Sequence, residues 1–132
     1  MQNPIFLSVE EVLAIHQDQI ARYGGSMGVR DMGLMESAVS TPAASYFGEF
    51  VHKDLAEMAA AYLFYLVKNH AFIDGNKRVG AAAADVFLDL NGFELVNEEP
   101  AFSDLVLAVA TGTADKHAVT EFIRAHMRPL QE

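Results

Sequence analysis

The sequence predicts an all-α domain, and three observations carry that prediction. Apolar residues recur at helical spacing nearly from end to end, the breaks between those stretches fall on Gly, Asn and Pro, and no strands alternating with helices are evident. The chain has 132 residues, of which 52% are hydrophobic and 20% charged. That is enough apolar material for one core, so residues 1–132 are expected to form a single domain.

The first helix opens at Ser8 and Glu11, an S-x-x-E capping box, with Leu7 and Val12 placed as a hydrophobic staple. Val9, Val12, Leu13, His16, Ile20 and Tyr23 follow at helical spacing, and Gly24-Gly25 supplies the stop. A short second helix is expected from Asp31 to Val39, ending before Pro42. The stretch Ser40 to His52 mixes Pro, Gly and aromatic residues and reads as a loop or small hairpin. The third helix, Lys53 to Asn69, is apolar on nearly all sides, as a helix in the middle of a bundle must be. A fourth starts near Asn76 and runs to an Asn91-Gly92 stop, its small-sided run Gly80 to Ala84 allowing a neighbour to approach closely. Two more follow, from about Ala101 to Thr111 and from about Ala114 to Met127, with Pro129 closing the last.

Charge and composition exclude several classes of function. The net charge of −9 argues against coating nucleic acid by counterion release. With no cysteine there is no disulfide scaffold, thiol catalysis or zinc-thiolate site. Met1 to Glu11 has no basic or apolar targeting pattern, and the longest apolar run, Met58 to Val67, is well short of the roughly 20 residues of a membrane span. A soluble, cytoplasmic protein is expected. Metal-protease and phosphate-loop motifs are missing, and Gly24-Gly25-Ser26-Met27-Gly28 does not follow a strand.

The chemistry concentrates in His70-Ala71-Phe72-Ile73-Asp74-Gly75-Asn76-Lys77-Arg78, which joins the two most apolar helices and carries five polar or charged groups. Gly75 permits positive φ and close backbone approach. Asn76 is a favoured N-cap, so the N–H groups after it would mark a helix start, a ready anion site. Lys77 and Arg78 oppose the helix dipole there and are tolerable mainly if an anion sits among them, phosphate being the obvious one. Asp74 is the carboxylate close by that could hold Mg²⁺. His70 belongs to the side-chain type that changes charge near neutral pH, and could take a proton from an attacking hydroxyl. Together these parts describe transfer of a phosphorus-containing group from a nucleotide to a hydroxyl. The plainer alternative is a solvated connector in which Asn76 is only a cap and the rest face water. Of the other histidines, His16 lies on an apolar stripe and is expected to be a packed, hydrogen-bonded core residue. His117 and His126 read as helix-surface residues, and His52 lies near enough to the Ser40–His52 loop to approach a substrate.

The segment His70 to Arg78 resembles the signature of the Fic/Doc superfamily, H-P-F-x-[DE]-G-N-G-R-x-x-R, and is most similar to that of the death-on-curing (Doc) toxins, in which Lys replaces the second glycine. Ser8-Val9-Glu10-Glu11 to Tyr23-Gly24-Gly25, the stretch Gly33 to Ala38, Asn91-Gly92 and Ala110-Thr111-Gly112 add weaker similarity in the same order. The resemblance implies a Fic-type bundle of about six helices with the motif loop between its two central helices. It implies that His70 is the general base, that Asp74 binds Mg²⁺, that Gly75, Asn76, Lys77 and Arg78 hold nucleotide phosphates, and that Phe72 anchors the loop. The Ser40–His52 loop would align an extended target segment.

Three positions depart from the pattern. Ala71 replaces the usual Pro, Lys77 the small Gly, and Ala81 the second Arg of the AMP-transferring members. Doc toxins share the last two departures and are protein kinases that transfer the γ-phosphate of ATP to a threonine of elongation factor Tu. Gly75 is instead the residue of the AMP transferases. The resemblance therefore implies a Doc-like toxin that uses Mg²⁺ and ATP to block translation, with a Fic-type AMP transferase as the second enzyme reading and an idle binding module as the third. No Glu is followed by Gly or Asn, so the family's inhibitory-helix pattern is missing. Restraint is expected from a Phd-like antitoxin whose C-terminal segment folds as a helix into a groove, and DNA would be reached only through that antitoxin.

Overall fold

The computed structural model describes residues 3–96 and 99–131. In chain order it contains α1 (Val9–Tyr23), α2 (Met32–Ser40), a 3-10 turn (Thr41–Ala43), β1 (Ser45–Tyr46), β2 (Glu49–Phe50), α3 (Leu55–Lys68), α4 (Asn76–Leu90), β3 (Phe93–Leu95), α5 (Ala101–Thr111), α6 (Lys116–His126) and β4 (Met127–Pro129). Helices dominate, as the periodicity predicts. The capping box closes as expected: the Glu11 N–H donates to Ser8 Oγ at 3.1 Å and the Ser8 N–H to Glu11 Oε1 at 2.9 Å. Asp31, Asp54 and Asp115 cap α2, α3 and α6 with one bond each, the side chain accepting the N–H three residues on.

The bundle is built round α3, which packs on α2, α4, α5 and α6. Its Ala56, Met58, Tyr62, Leu63, Leu66 and Val67 are buried on all sides. Phe64 and Tyr65 are only partly buried, so this helix, apolar on nearly all sides, also reaches the edge of the core. The small run on α4 serves the close approach: a methyl on Gly80 would stand 2.6 Å from Val67 Cγ2 and 3.0 Å from the Leu63 carbonyl. Tyr62 accepts the Leu7 N–H at 2.8 Å, and burial pushes its phenol up to about 12, so it stays neutral.

Two parts of the sequence reading need correction. The expected single irregular loop is joined by a second pair of strands, β3 and β4, which are antiparallel and pair Phe93 with Pro129, Glu94 with Arg128 and Leu95 with Met127. The sixth helix is correspondingly shorter than the expected Ala114–Met127 stretch, because Asp115 caps its start and Met127 leaves it as extended backbone. The Ser40–His52 loop does hold a hairpin, β1–β2, turned at Phe47 (φ 51°) and Gly48 (φ 80°). Positive φ at both turn residues matches the twist of a two-residue hairpin loop.

Candidate active site

The nine-residue motif spans the α3–α4 junction. α3 reaches its C-cap at Asn69, and His70 follows in the left-handed region at φ 49°. Glycine usually fills that position after a helix because it has no Cβ to clash. A non-glycine residue held there costs about 1–3 kcal/mol, and such strain persists where the surroundings over-determine it. His70 is exposed, and among the described residues neither ring nitrogen has a hydrogen-bond partner.

Asn76 does not cap α4, contrary to the sequence expectation. The N-cap is Gly75, left-handed at φ 79°, and no side chain caps the helix. The Asn76 side chain turns back instead: Oδ1 accepts the Phe72 N–H and Nδ2 donates to the Phe72 carbonyl, both at 3.0 Å. This two-bond clamp shapes the loop and leaves the first turn of α4 without a side-chain cap, a positive helix end suited to an anion. The first turn of α4 holds no acidic residue, and Lys77 is exposed beside it.

Asp74 is also exposed, with both carboxylate oxygens oriented: Oδ1 accepts the Gly75 N–H at 2.8 Å and Oδ2 the Ser26 N–H at 3.1 Å. Those two N–H donors, ahead of the charges on Arg78 and Lys77, hold the carboxyl below its ordinary range. One carboxylate is what Mg²⁺ needs from a protein when nucleotide phosphates and water complete its shell. The described residues contain no cluster of three or more carboxylate, His or Cys groups that would make a self-sufficient metal cage. The donor set thus fits Mg²⁺ carried with a nucleotide.

The rest of the loop is held from outside. Phe72 is buried and stacks on the His16 ring at 3.9 Å between centroids, while His16 Nε2 donates to the Asp74 carbonyl at 2.7 Å. His16 is buried and hydrogen-bonded as expected, but its bond reaches the motif itself. Segment 24–31 runs alongside. Gly24, Gly25 and Gly28 have φ of 85°, 115° and 117°, and a methyl on Gly25 would stand 2.6 Å from Asp74 Oδ2. The Gly28 carbonyl accepts the Ile73 N–H, and the Ala71 carbonyl accepts the N–H groups of Arg30 and Asp31. Arg78 Nη1 donates to the carbonyls of Gly24 at 2.8 Å and Gln19 at 3.2 Å, so this cation also ties α4 to the end of α1.

Sequence reasoning missed Gly25, Ser26 and Arg30, having taken the glycines as a helix stop. Three glycines in five residues exceed what one stop requires, and that surplus was the available signal. His52 is not at a substrate surface. It is buried, with Lys116 Nζ donating to its Nε2 at 3.0 Å, and burial together with that charge holds its pKa low. His117 is exposed, whereas His126 is partly buried, stacked on Phe122 and bonded to its carbonyl. From the α4 end of the motif, a groove of about 830 Å³ runs between α1, α4 and α5, lined by Tyr23, Lys77, Ala81, Asp85, Phe102 and Val106. It reaches Lys77 and Arg78 but not His70 or Asp74.

Comparison with known proteins identifies the family. Residues 6–88 match the model of the Fic/DOC family, a span that holds the motif and its supports from α1 and segment 24–31. The chain is 40% identical over 99 residues to Toxin Doc of Mycolicibacterium smegmatis, covering 74% of this chain and 76% of that protein. It is 36% identical over 118 residues to Protein kinase doc of Escherichia phage P1, covering 89% and 92%. The protein belongs to the Fic/DOC family.

Proposed function

We propose that this protein is a Doc-type toxin that phosphorylates a Ser or Thr hydroxyl of a cytoplasmic protein, elongation factor Tu being the expected target, and so blocks translation. The observation that carries the reading is the pairing, across one tight loop, of an exposed His70, unpartnered among the described residues, with the oriented carboxylate of Asp74 at an uncapped helix N-terminus. In this reading His70 accepts the proton of the target hydroxyl as its oxygen bonds to the γ-phosphorus of ATP. The bond to the bridging oxygen breaks, and ADP leaves. Asp74 holds Mg²⁺, which when bound offsets phosphate charge. Gly75, Asn76 and Lys77 present the start of α4 to the phosphates, Arg78 adds its cation beside them, and Phe72 anchors the loop. Lys77 in place of a glycine, and Ala81 in place of an arginine, favour γ-phosphate over AMP transfer. The kinase named among the relatives supports the same choice.

A toxin of this kind needs an antitoxin, and the α1–α4–α5 groove suits a Phd-like antitoxin segment folded as a helix. The groove offers apolar Phe102 and Val106 with basic Lys77 and Arg78 and acidic Asp85 and Glu99 along its length. Among the described residues no helix is long and apolar enough to cross a membrane.

The test is label transfer from ATP to purified elongation factor Tu, and to a cell extract, with the label on the γ- or the α-phosphate and a His70→Ala control. Transfer from the γ position, lowered about 10²–10⁴-fold in the control, is expected. Label from the α position would make the protein an AMP transferase, and neither label would leave a binding module.

A further inference from the structure

Arg30 lies outside the motif, forty residues before His70, yet its side chain grips the turn that carries the imidazole. Nε donates to the His70 carbonyl at 2.8 Å and Nη2 to the Asn69 carbonyl at 3.4 Å. We propose that Arg30 is a positioning residue for His70, its guanidinium holding these two carbonyls and with them the left-handed turn at the end of α3.

The physical case has three parts. His70 occupies φ 49° without being glycine, so something other than local preference must keep it there. The carbonyls at a helix C-terminus carry partial negative charge, and a guanidinium fork can reach two of them at once where an ammonium would meet them as a point charge. The main chain of Arg30 is itself fixed against the loop, because its N–H donates to the Ala71 carbonyl at 2.7 Å beside the Val29–Phe72 bridge. The fork is thereby aimed at the turn from a rigid base.

The separation of supports gives the proposal its content. The Asp74 half of the loop rests on Ser26, Gly28 and His16, none of which involves the Arg30 side chain. Removing that side chain should release His70 while leaving the carboxylate and the α4 N-terminus in place. The expected defect is in the proton-accepting step and not in nucleotide binding.

This inference rests on the reading of His70 as the base, so the experiment has one arm that needs no activity. A crystal structure of Arg30→Ala should show His70 out of the left-handed region with the Asp74 carboxylate still on the Ser26 N–H. In the γ-phosphate transfer assay, Arg30→Ala should lower kcat about 10–100-fold with KM for ATP unchanged, and Arg30→Lys should recover part of the loss. A variant with His70 still near φ 49°, or with kcat and KM for ATP damaged together, overturns the proposal. If Arg30→Ala does not fold, Arg30→Gln takes its place under the same criteria. Failure of the unaltered protein to transfer phosphate would sink the kinase reading, while the structural arm still decides whether Arg30 sets the turn.

Discussion

The imidazole of His16, in the middle of α1, donates from Nε2 to the main-chain carbonyl of Asp74 at 2.7 Å. Its ring lies flat on Phe72, so one buried side chain fixes the motif loop by stacking and by a hydrogen bond. His16→Phe keeps the first and removes the second. The loss of one such bond costs about 1 kcal/mol. The expected result is a Tm lowered by a few degrees and a kcat lowered about tenfold, with KM for ATP little changed. His16→Gln, which restores a donor, should recover part of kcat without the stacking. Thermal denaturation and γ-phosphate transfer measured on both variants check this, and equal kcat values in the two would show that the hydrogen bond does not position the loop.

Gly25 meets the side-chain carboxylate of the same Asp74. At φ 115° it has no room for a side chain, since a methyl would stand 2.6 Å from Asp74 Oδ2 and 3.1 Å from Arg78 Nη2. Gly25→Ala therefore strains the backbone by about 1–3 kcal/mol and pushes the carboxylate off the Ser26 N–H. The Mg²⁺ concentration for half-maximal transfer should rise about tenfold. An Mg²⁺ titration reads this directly, and an unchanged requirement would show that Asp74 does not hold the ion.

These two contacts mark the boundary of what the sequence makes legible. Ser8 with Glu11, Asp31 before α2 and Gly24 after α1 are readable because each acts on backbone groups within about one helical turn. The motif loop is readable because its residues are contiguous. His16, Ser26 and Arg30 reach it across 58, 48 and 40 positions, and no local pattern encodes those pairings. The β3–β4 pair is hidden for the same reason, each strand being three residues long and stabilised mainly by the other. Asn76 shows a subtler failure. Its preference for helix starts is real, but the left-handed Gly75 takes the cap and frees the amide to clamp Phe72.

Asp85, on the groove face of α4, is expected to make stability depend on pH. Its carboxyl is pushed above the ordinary 3.8, first by desolvation and then by Asp89 and Glu94. A carboxyl with a raised pKa in the fold binds its proton more tightly there than in the unfolded chain, so ionisation disfavours the fold. The penalty is full at neutral pH and is relieved as pH falls through the folded value toward 3.8. Asp85→Asn should therefore raise Tm by about 1–3 °C at pH 7 and by nothing near pH 3.5. Tm measured across that range for both proteins checks the sign, and a gain that persists at low pH would assign it to packing.

Lys77 is the residue on which the choice of reaction is expected to turn. It stands in the first turn of α4 where the family's AMP-transferring pattern has glycine, at a helix end with no acidic neighbour in that turn. Lys77→Gly has two opposed effects on the fold. Glycine costs about 1 kcal/mol in a helix interior and less near the end, while removing a cation from the positive end of the helix dipole returns about 0.3–1 kcal/mol. Stability should be nearly unchanged, so a change in activity can be read as chemistry. Without the ammonium, γ-phosphate transfer should fall about tenfold or more, and the space opened at the helix start should allow label to pass from the α-phosphate. Doubly labelled ATP measures both products in one reaction. Full γ-transfer with no α-transfer in the variant would show that Lys77 does not select the phosphate and would shift that role to the position of Ala81, where the second arginine of the AMP transferases is lacking.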